Sequence, residues 1–302
     1  MVSLGDVRST ADDVRKTADD VRETADMVAF KHTVFALPFA VIAVITAADP
    51  AWPGLRVWLW VGVAMVAART AAMAFNRLAD HALDEANPRT SGRSLPAGRL
   101  RRRFVVAVTL AAAALFLIAA GMLNRLCLVL APPTLVILLG YSYAKRFTAM
   151  SHVWLGIALG LAPIGAWIAV TGRVEVAALV LAGAVALWVA GFDVIYSLQD
   201  EDFDRAHKLR SLPAILGGTR ALLAARLFHT AAFVGFALFA AVSGGGWLRF
   251  GAVLLAGGLL FWQHRLVAPD RLDAVDAAFF TTNGILAVVM CILFVAARLV
   301  GG

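Results

Sequence analysis

From residue 32 to the C-terminus the chain alternates between long apolar blocks and short polar stretches. The blocks fall at about 32–48, 55–79, 104–124, 126–143, 152–171, 174–198, 219–243, 247–266 and 277–300. Each is close to the roughly 17–25 residues that a helix needs to cross the hydrocarbon core of a bilayer. The pattern predicts an all-α polytopic membrane protein with nine transmembrane helices. Residues 7–28 have a different rhythm, because VRSTADD, VRKTADD and VRETADM repeat every seven residues. The repeat aligns Val7, Val14, Val21 and Val28 in one stripe, a coiled-coil-like pattern whose Ala and Thr inner positions bury little. Residues 1–28 are therefore expected to form a polar accessory helix that could self-associate, and residues 29–302 the transmembrane domain. The first 26 residues lack an apolar stretch, so no cleavable signal is expected.

Composition excludes an ordinary soluble enzyme. The chain is 61% hydrophobic and 16% charged, where soluble domains have about 45–50% and about 25%. The net charge of +7 would suggest nucleic acid in a soluble protein, but its distribution points to the membrane. The loops after the second, fourth, sixth and eighth blocks hold 15 basic residues and the opposite side holds 5. That bias places the N-terminus and these loops in the cytoplasm, and no nucleic-acid partner is needed to explain it. Cys127 and Cys291 both lie inside apolar blocks without paired spacing, so they read as small core residues.

The acidic residues are sparse and organised. Asp80 and Asp84 follow the second block as DxxxD, and Asp200 and Asp204 follow the sixth in the same pattern. RSLPA then occurs at 93–97 and again at 210–214. The acidic pair recurs after 120 residues and RSLPA after 117, with four blocks between the copies, which gives a 4+4+1 arrangement with both halves running in the same direction. If helical, Asn76, Asp80 and Asp84 share one face, as do Asp193, Tyr196, Asp200 and Asp204. Arg69 lies on the first face about two turns deeper. Paired carboxylates ringed by arginines suit a hard divalent cation such as Mg²⁺, which takes oxygen ligands and bridges to substrate phosphates. Arg69 and Asp193 either pair with each other or contact a substrate, since ionisable groups within spans are costly unless they are paired or functional.

NRLADHALD at 76–84 followed by NPRTSGRSLPAG, together with YSLQDEDFD at 196–204, resembles the two aspartate-rich regions of UbiA-type intramembrane aromatic prenyltransferases. KHTVFALPFA and YSYAKRFT are similar to other stretches of that family. The 4-hydroxybenzoate polyprenyltransferase-like enzymes of quinone biosynthesis form the subgroup most similar to this chain, and the heptads lie outside the family pattern. The resemblance implies nine helices around a central cavity capped by cytoplasmic loops, in a bacterial-type inner membrane. It also implies a polyprenyl diphosphate held by two Mg²⁺ ions, with Asn76, Asp80 and Asp84 serving one ion and Asp200 and Asp204 the other. Arg77, Arg93, Lys145, Arg146, Lys208 and Arg210 are the candidate diphosphate contacts, and Asp193 and Tyr196 would face the cavity. The aromatic acceptor would be 4-hydroxybenzoate or a dihydroxynaphthoate-type acid, for ubiquinone or menaquinone.

Other readings fit less of the chain. A secondary transporter shares the repeats and the charges within spans, but the acidic constellation lies toward one face only. A CDP-alcohol phosphotransferase would carry one compact DG-plus-DxxxD signature in place of two separated motifs. The six histidines form no HExxH, which argues against a zinc hydrolase, and Gly244-Gly-Gly246 lacks the Lys-Ser/Thr of a phosphate loop and reads as a turn. Another transferase of the same family, acting on a different acceptor, is the alternative.

Overall fold

The computed structural model describes residues 23–24, 33–269 and 271–301. Among these residues there is no strand, only an isolated antiparallel bridge between Ala268 and Arg271. The helices are α1 (Thr33–Ala47), α2 (Leu55–Ala79), α3 (His81–Ala86), α4 (Arg102–Leu123), α5 (Arg125–Gly140), α6 (Ala144–Phe147) and α7 (Ser151–Thr171), then α8 (Val176–Ser197), α9 (Glu201–Ala206), α10 (Leu212–Leu216), α11 (Gly218–Val242), α12 (Trp247–Leu266) and α13 (Asn283–Val300). A π-helical turn, Ala277–Thr282, leads into α13.

A helix stands at each predicted apolar block. Among the described residues, seven helical stretches are long and apolar enough to cross a membrane. They correspond to α2, α4, α5, α7, α8, α11 and α13. The other two are α1, which has 15 residues, and α12, where Gln263, His264 and Arg265 dilute the apolar run. Apart from Glu23 and Thr24, the heptad segment predicted over 7–28 lies outside the described residues. Glu23 accepts hydrogen bonds from Ser94 Oγ and, at 2.9 Å, from Arg99 Nε in the loop before α4.

The burial pattern suits lipid surroundings. Leu110, Leu227, Phe261 and Ile292 are exposed, whereas Asn283, Gln263 and His229 are buried. Buried polar groups need partners, and each of these side chains has at least one, with Gln263 Oε1 left without one among the described residues. Trp188 Nε1 donates to Asn283 Oδ1 at 2.9 Å, Gln263 Nε2 donates to the Ala278 carbonyl at 2.8 Å, and His229 Nδ1 lies 2.9 Å from His264 Nε2. An aromatic core of Phe39, Trp188, Phe192, Phe236 and Phe294 fills the interior around them.

The central helices pack on small residues, which let backbones approach closely where lipid provides no hydrophobic drive between helices. α7 lies against α8 so tightly that a Cβ at Gly156 would stand 2.1 Å from the Ala186 carbonyl oxygen. At Gly191 on α8, a Cβ would meet the His229 ring at 2.2 Å. This closeness matters for function, because α8 carries the second acidic motif at its end. Gly156→Ala should destabilise the detergent-solubilised protein by about 1–3 kcal/mol through overpacking, seen as a lower Tm. Gly183→Ala, whose Cβ would point into open space, should leave Tm unchanged or raise it. Equal melting of the two variants would contradict the α7–α8 contact.

Candidate active site

Neither acidic motif lies on one unbroken helix. α2 ends at Ala79, Asp80 takes φ −98°, ψ 9°, and α3 restarts at His81. α8 ends at Ser197, a 3₁₀ turn spans Leu198–Asp200, and Asp200 takes φ −106°, ψ 8° before α9. Both first aspartates therefore sit in the sparsely populated bridge region, where active-site residues are often found. The second aspartate of each pair, Asp84 or Asp204, is buried on the short helix that follows. The expected shared face is thus interrupted by a break at the same position in both halves.

Cations from other segments hold each carboxylate. Arg146 Nη2 donates to Asp80 Oδ1 at 3.3 Å and also bonds the Ala79 carbonyl. Arg93 bonds Asp84 Oδ1, with Arg77 Nη1 3.7 Å from Asp84 Oδ2. Lys145 Nζ donates to Asp204 Oδ2 at 3.4 Å. Asp200 accepts Arg89 through both Nε, at 3.0 Å, and Nη2, and accepts Asn87 Nδ2 at 3.1 Å. Arg89 and Asn87 follow the first motif, so these bonds tie the first half directly to the second. Lys145 lies within electrostatic reach of Asp80, Asp200 and Asp204, which places both motifs around one ammonium. Burial raises the Asp80 carboxyl above its ordinary value, with Asp84 adding to the rise and the Arg146 hydrogen bond opposing it. Burial acts to lower the Arg89 guanidinium, but its bonds to Asp200 outweigh this and hold it above the usual value.

The remaining predicted residues divide into two groups. Asn76 Nδ2 donates to Asp80 Oδ2 at 2.8 Å, and Tyr196 Oη accepts Arg89 Nη1 at 3.1 Å while its ring packs 4.2 Å from that of Phe279. Both belong to the network. Arg210 instead directs Nη1 to the Phe147 carbonyl at 3.0 Å, and Lys208 is exposed at φ +56°. Asp193 pairs with His152 Nδ1 at 2.6 Å, and among the described residues no ion pair joins it to Arg69, which is half-buried on α2. Asn87, Arg89, Tyr141 and His152 were not singled out from the sequence. Of these, Arg89 and Asn87 had a signal, because they stand in the NPRTSG stretch between the first motif and RSLPA. Tyr141 lies within electrostatic reach of Asp193, Asp80, Arg77 and Arg93.

The donor set fits a hard divalent cation. Among the described residues no three His, Cys, Asp or Glu side chains converge into a closed cage. Each motif offers two carboxylates, and Mg²⁺ is commonly held by one or two carboxylates together with waters and substrate phosphates. Asp84 Oδ2 is buried without a hydrogen bond among the described residues, a lone-pair-bearing oxygen suited to such an ion. Arg89→Ala should release the first loop from the second motif. Hydrogen–deuterium exchange should then speed up over residues 87–101 and stay unchanged over 181–192 in α8. Unchanged exchange in the loop would contradict the tie.

Comparison with known proteins places this geometry. Residues 36–285 match the model of the UbiA prenyltransferase family. The chain is 31% identical over 242 residues to a 4-hydroxybenzoate octaprenyltransferase of Salmonella paratyphi B, covering 77% of this chain and 81% of that protein. It is 29% identical over 229 residues to the Citrobacter koseri protein of the same name, covering 74% and 79%. Among solved structures, the apo structure of a UbiA homolog from Aeropyrum pernix K1 superposes with a TM-score of 0.77 at 33% identity, covering 89% of this chain and 98% of that one. A UbiA homolog from Archaeoglobus fulgidus bound to GPP and Mg²⁺ shares the fold with a TM-score of 0.71 at 19% identity, covering 91% and 99%. Two opposed aspartate motifs at the ends of membrane helices, a family match over most of the chain and a shared fold agree: the protein belongs to the UbiA prenyltransferase family and is a prenyltransferase of the membrane.

Proposed function

We propose that the protein transfers a polyprenyl group from a polyprenyl diphosphate to an aromatic acceptor, 4-hydroxybenzoate or a dihydroxynaphthoate-type acid, in quinone biosynthesis. The observation that carries the reading is the crosswise tie of the two acidic motifs, with Arg89 of one half on Asp200 of the other. The names of the 29–31% identical relatives support 4-hydroxybenzoate as the first acceptor to test. We place all nine long helices across the membrane in a 4+4+1 order, with the motif loops and the N-terminus on the cytoplasmic side of a bacterial-type inner membrane. Matching packing supports this order, since α2 lies along α4 in the first half as α8 lies along α11 in the second.

In this reading Asn76, Asp80 and Asp84 hold one Mg²⁺ and Asp200 and Asp204 a second. When bound, the ions supply Lewis-acid neutralisation of the diphosphate oxygens. Arg77, Arg93, Lys145 and Arg146 surround the leaving diphosphate, the arginines by paired N–H donors and the lysine as a point charge. Lys208 and Arg210 stand at the rim. As the allylic C–O bond breaks, negative charge grows on the departing oxygens, and cations already in place stabilise it without reorganising. The allylic carbon then bonds the acceptor ring ortho to its hydroxyl, and the ring proton is lost. Tyr196, Asp193 and Arg69 line the acceptor side. Burial of the site beneath the loops keeps water from the allylic cation, while the apolar tail extends among the helices.

The full chain in detergent, supplied with a polyprenyl diphosphate, Mg²⁺ and 4-hydroxybenzoate, should form a prenylated aromatic product detected by mass spectrometry, and chelation should stop it. No product with any aromatic acceptor, alongside solute flux in liposomes, would overturn the reading in favour of a transporter. Asp80→Ala and Asp200→Ala should each lower turnover by about a hundred- to a thousandfold in protein that still elutes as a folded species. Near-normal turnover would refute their role.

A further inference from the structure

We infer that His152 is a positioning residue that aims Asp193 at the acceptor and couples it to the seating of the second RSLPA loop. The inference rests on the prenyltransferase reading above. His152 is the second residue of α7 and is fully buried. Its Nε2 accepts the backbone N–H of Leu212 at 3.2 Å. A backbone N–H only donates, so Nε2 carries the lone pair and the proton of the neutral ring sits on Nδ1. That proton points at Asp193 Oδ2, 2.6 Å away. One carboxylate oxygen of Asp193 is therefore fixed. Its side chain keeps 15% exposure, and no described hydrogen bond ends on Oδ1, which leaves that oxygen for a substrate group.

The backbone donor that sets this tautomer belongs to the cap. Leu212 lies within the second RSLPA, whose Arg210 donates its backbone N–H to the Lys145 carbonyl at 2.7 Å and its guanidinium to the Phe147 carbonyl. Lys145 in turn holds Asp204. The same loop that closes over the diphosphate side therefore fixes the proton position on His152, and through it the direction of Asp193 on α8. A buried His–Asp pair serving only as glue needs no link to this loop, and this pair has one. The residues involved are separated by 41 and 60 positions in sequence.

Steady-state kinetics of the full chain test the inference, using geranyl diphosphate, Mg²⁺ and 4-hydroxybenzoate. His152→Ala should lower kcat/KM for the aromatic acceptor by about ten- to a hundredfold while leaving KM for the diphosphate within about twofold. His152→Asn, whose amide can stand at the Nδ1 position and donate to Asp193, should recover most of the loss. His152→Gln, whose amide reaches the Nε2 position near Leu212 but not Asp193, should not. If His152→Ala does not yield folded protein, the Asn and Gln pair decides. Unchanged acceptor kinetics, or equal loss on both substrates with a lowered Tm and no difference between Asn and Gln, would overturn the positioning role. Absence of product from the unsubstituted chain would instead overturn the prenyltransferase reading itself.

Discussion

Four carboxylates at the ends of two apolar helices would be costly to keep ionised near a bilayer unless each had a partner, and the site is built around meeting that need. Asp80 is held by Arg146, Asp84 by Arg93 and Arg77, Asp200 by Arg89, and Asp204 by Lys145. The partners mostly come from segments remote in the chain. Arg89 crosses from the first half to the second, and the adjacent Lys145 and Arg146 divide between the two motifs. The pairs thus fix the relative position of the halves at the end that carries both acidic motifs. Removing one cation leaves a desolvated carboxylate, so the network is expected to fail as a unit and not bond by bond.

The same groups explain how the scaffold serves the reaction. A prenyl diphosphate brings negative charge that grows on the leaving oxygens, and on the proposed reading it meets arginines and a lysine whose positions are already set. Pre-set cations avoid reorganisation during bond cleavage, which is where electrostatic catalysis has most of its effect. The two bends at Asp80 and Asp200 put the first aspartate of each pair at a helix junction and leave the second buried on a short helix. Close packing of α7 on α8 through Gly156 gives the second motif a rigid base, and His152 ties that base to the cap loop.

Much of this was legible in the sequence. Apolar length alone placed every long helix, because the bilayer fixes how many residues a span needs. The repeated DxxxD and RSLPA marked the ends where the cation–carboxylate network forms. The helix breaks were not legible, since an i, i+4 spacing is equally compatible with one continuous helix. Arg89 and Asn87 lie in a loop, where no periodicity predicts which way a side chain turns. Asp193 was open between pairing with Arg69 and contacting a substrate, and within the chain its partner is His152, 41 residues away. A lone histidine near the start of an apolar block carries no signal of its own. Arg210 shared a motif with Arg93 but not its environment, because the second loop bends over α6 and uses its arginine to bond the Phe147 carbonyl.

The central claim is that both halves act on a single diphosphate through neighbouring divalent ions. Electron paramagnetic resonance of the full chain with Mn²⁺ in place of Mg²⁺ and a non-cleavable prenyl thiodiphosphate tests it most directly. Two Mn²⁺ per chain are expected, with a spectrum that shows spin–spin coupling, and the coupling should be lost in Asp84→Asn and in Asp204→Asn alike. A single ion, or two uncoupled ions insensitive to one of these substitutions, would contradict it.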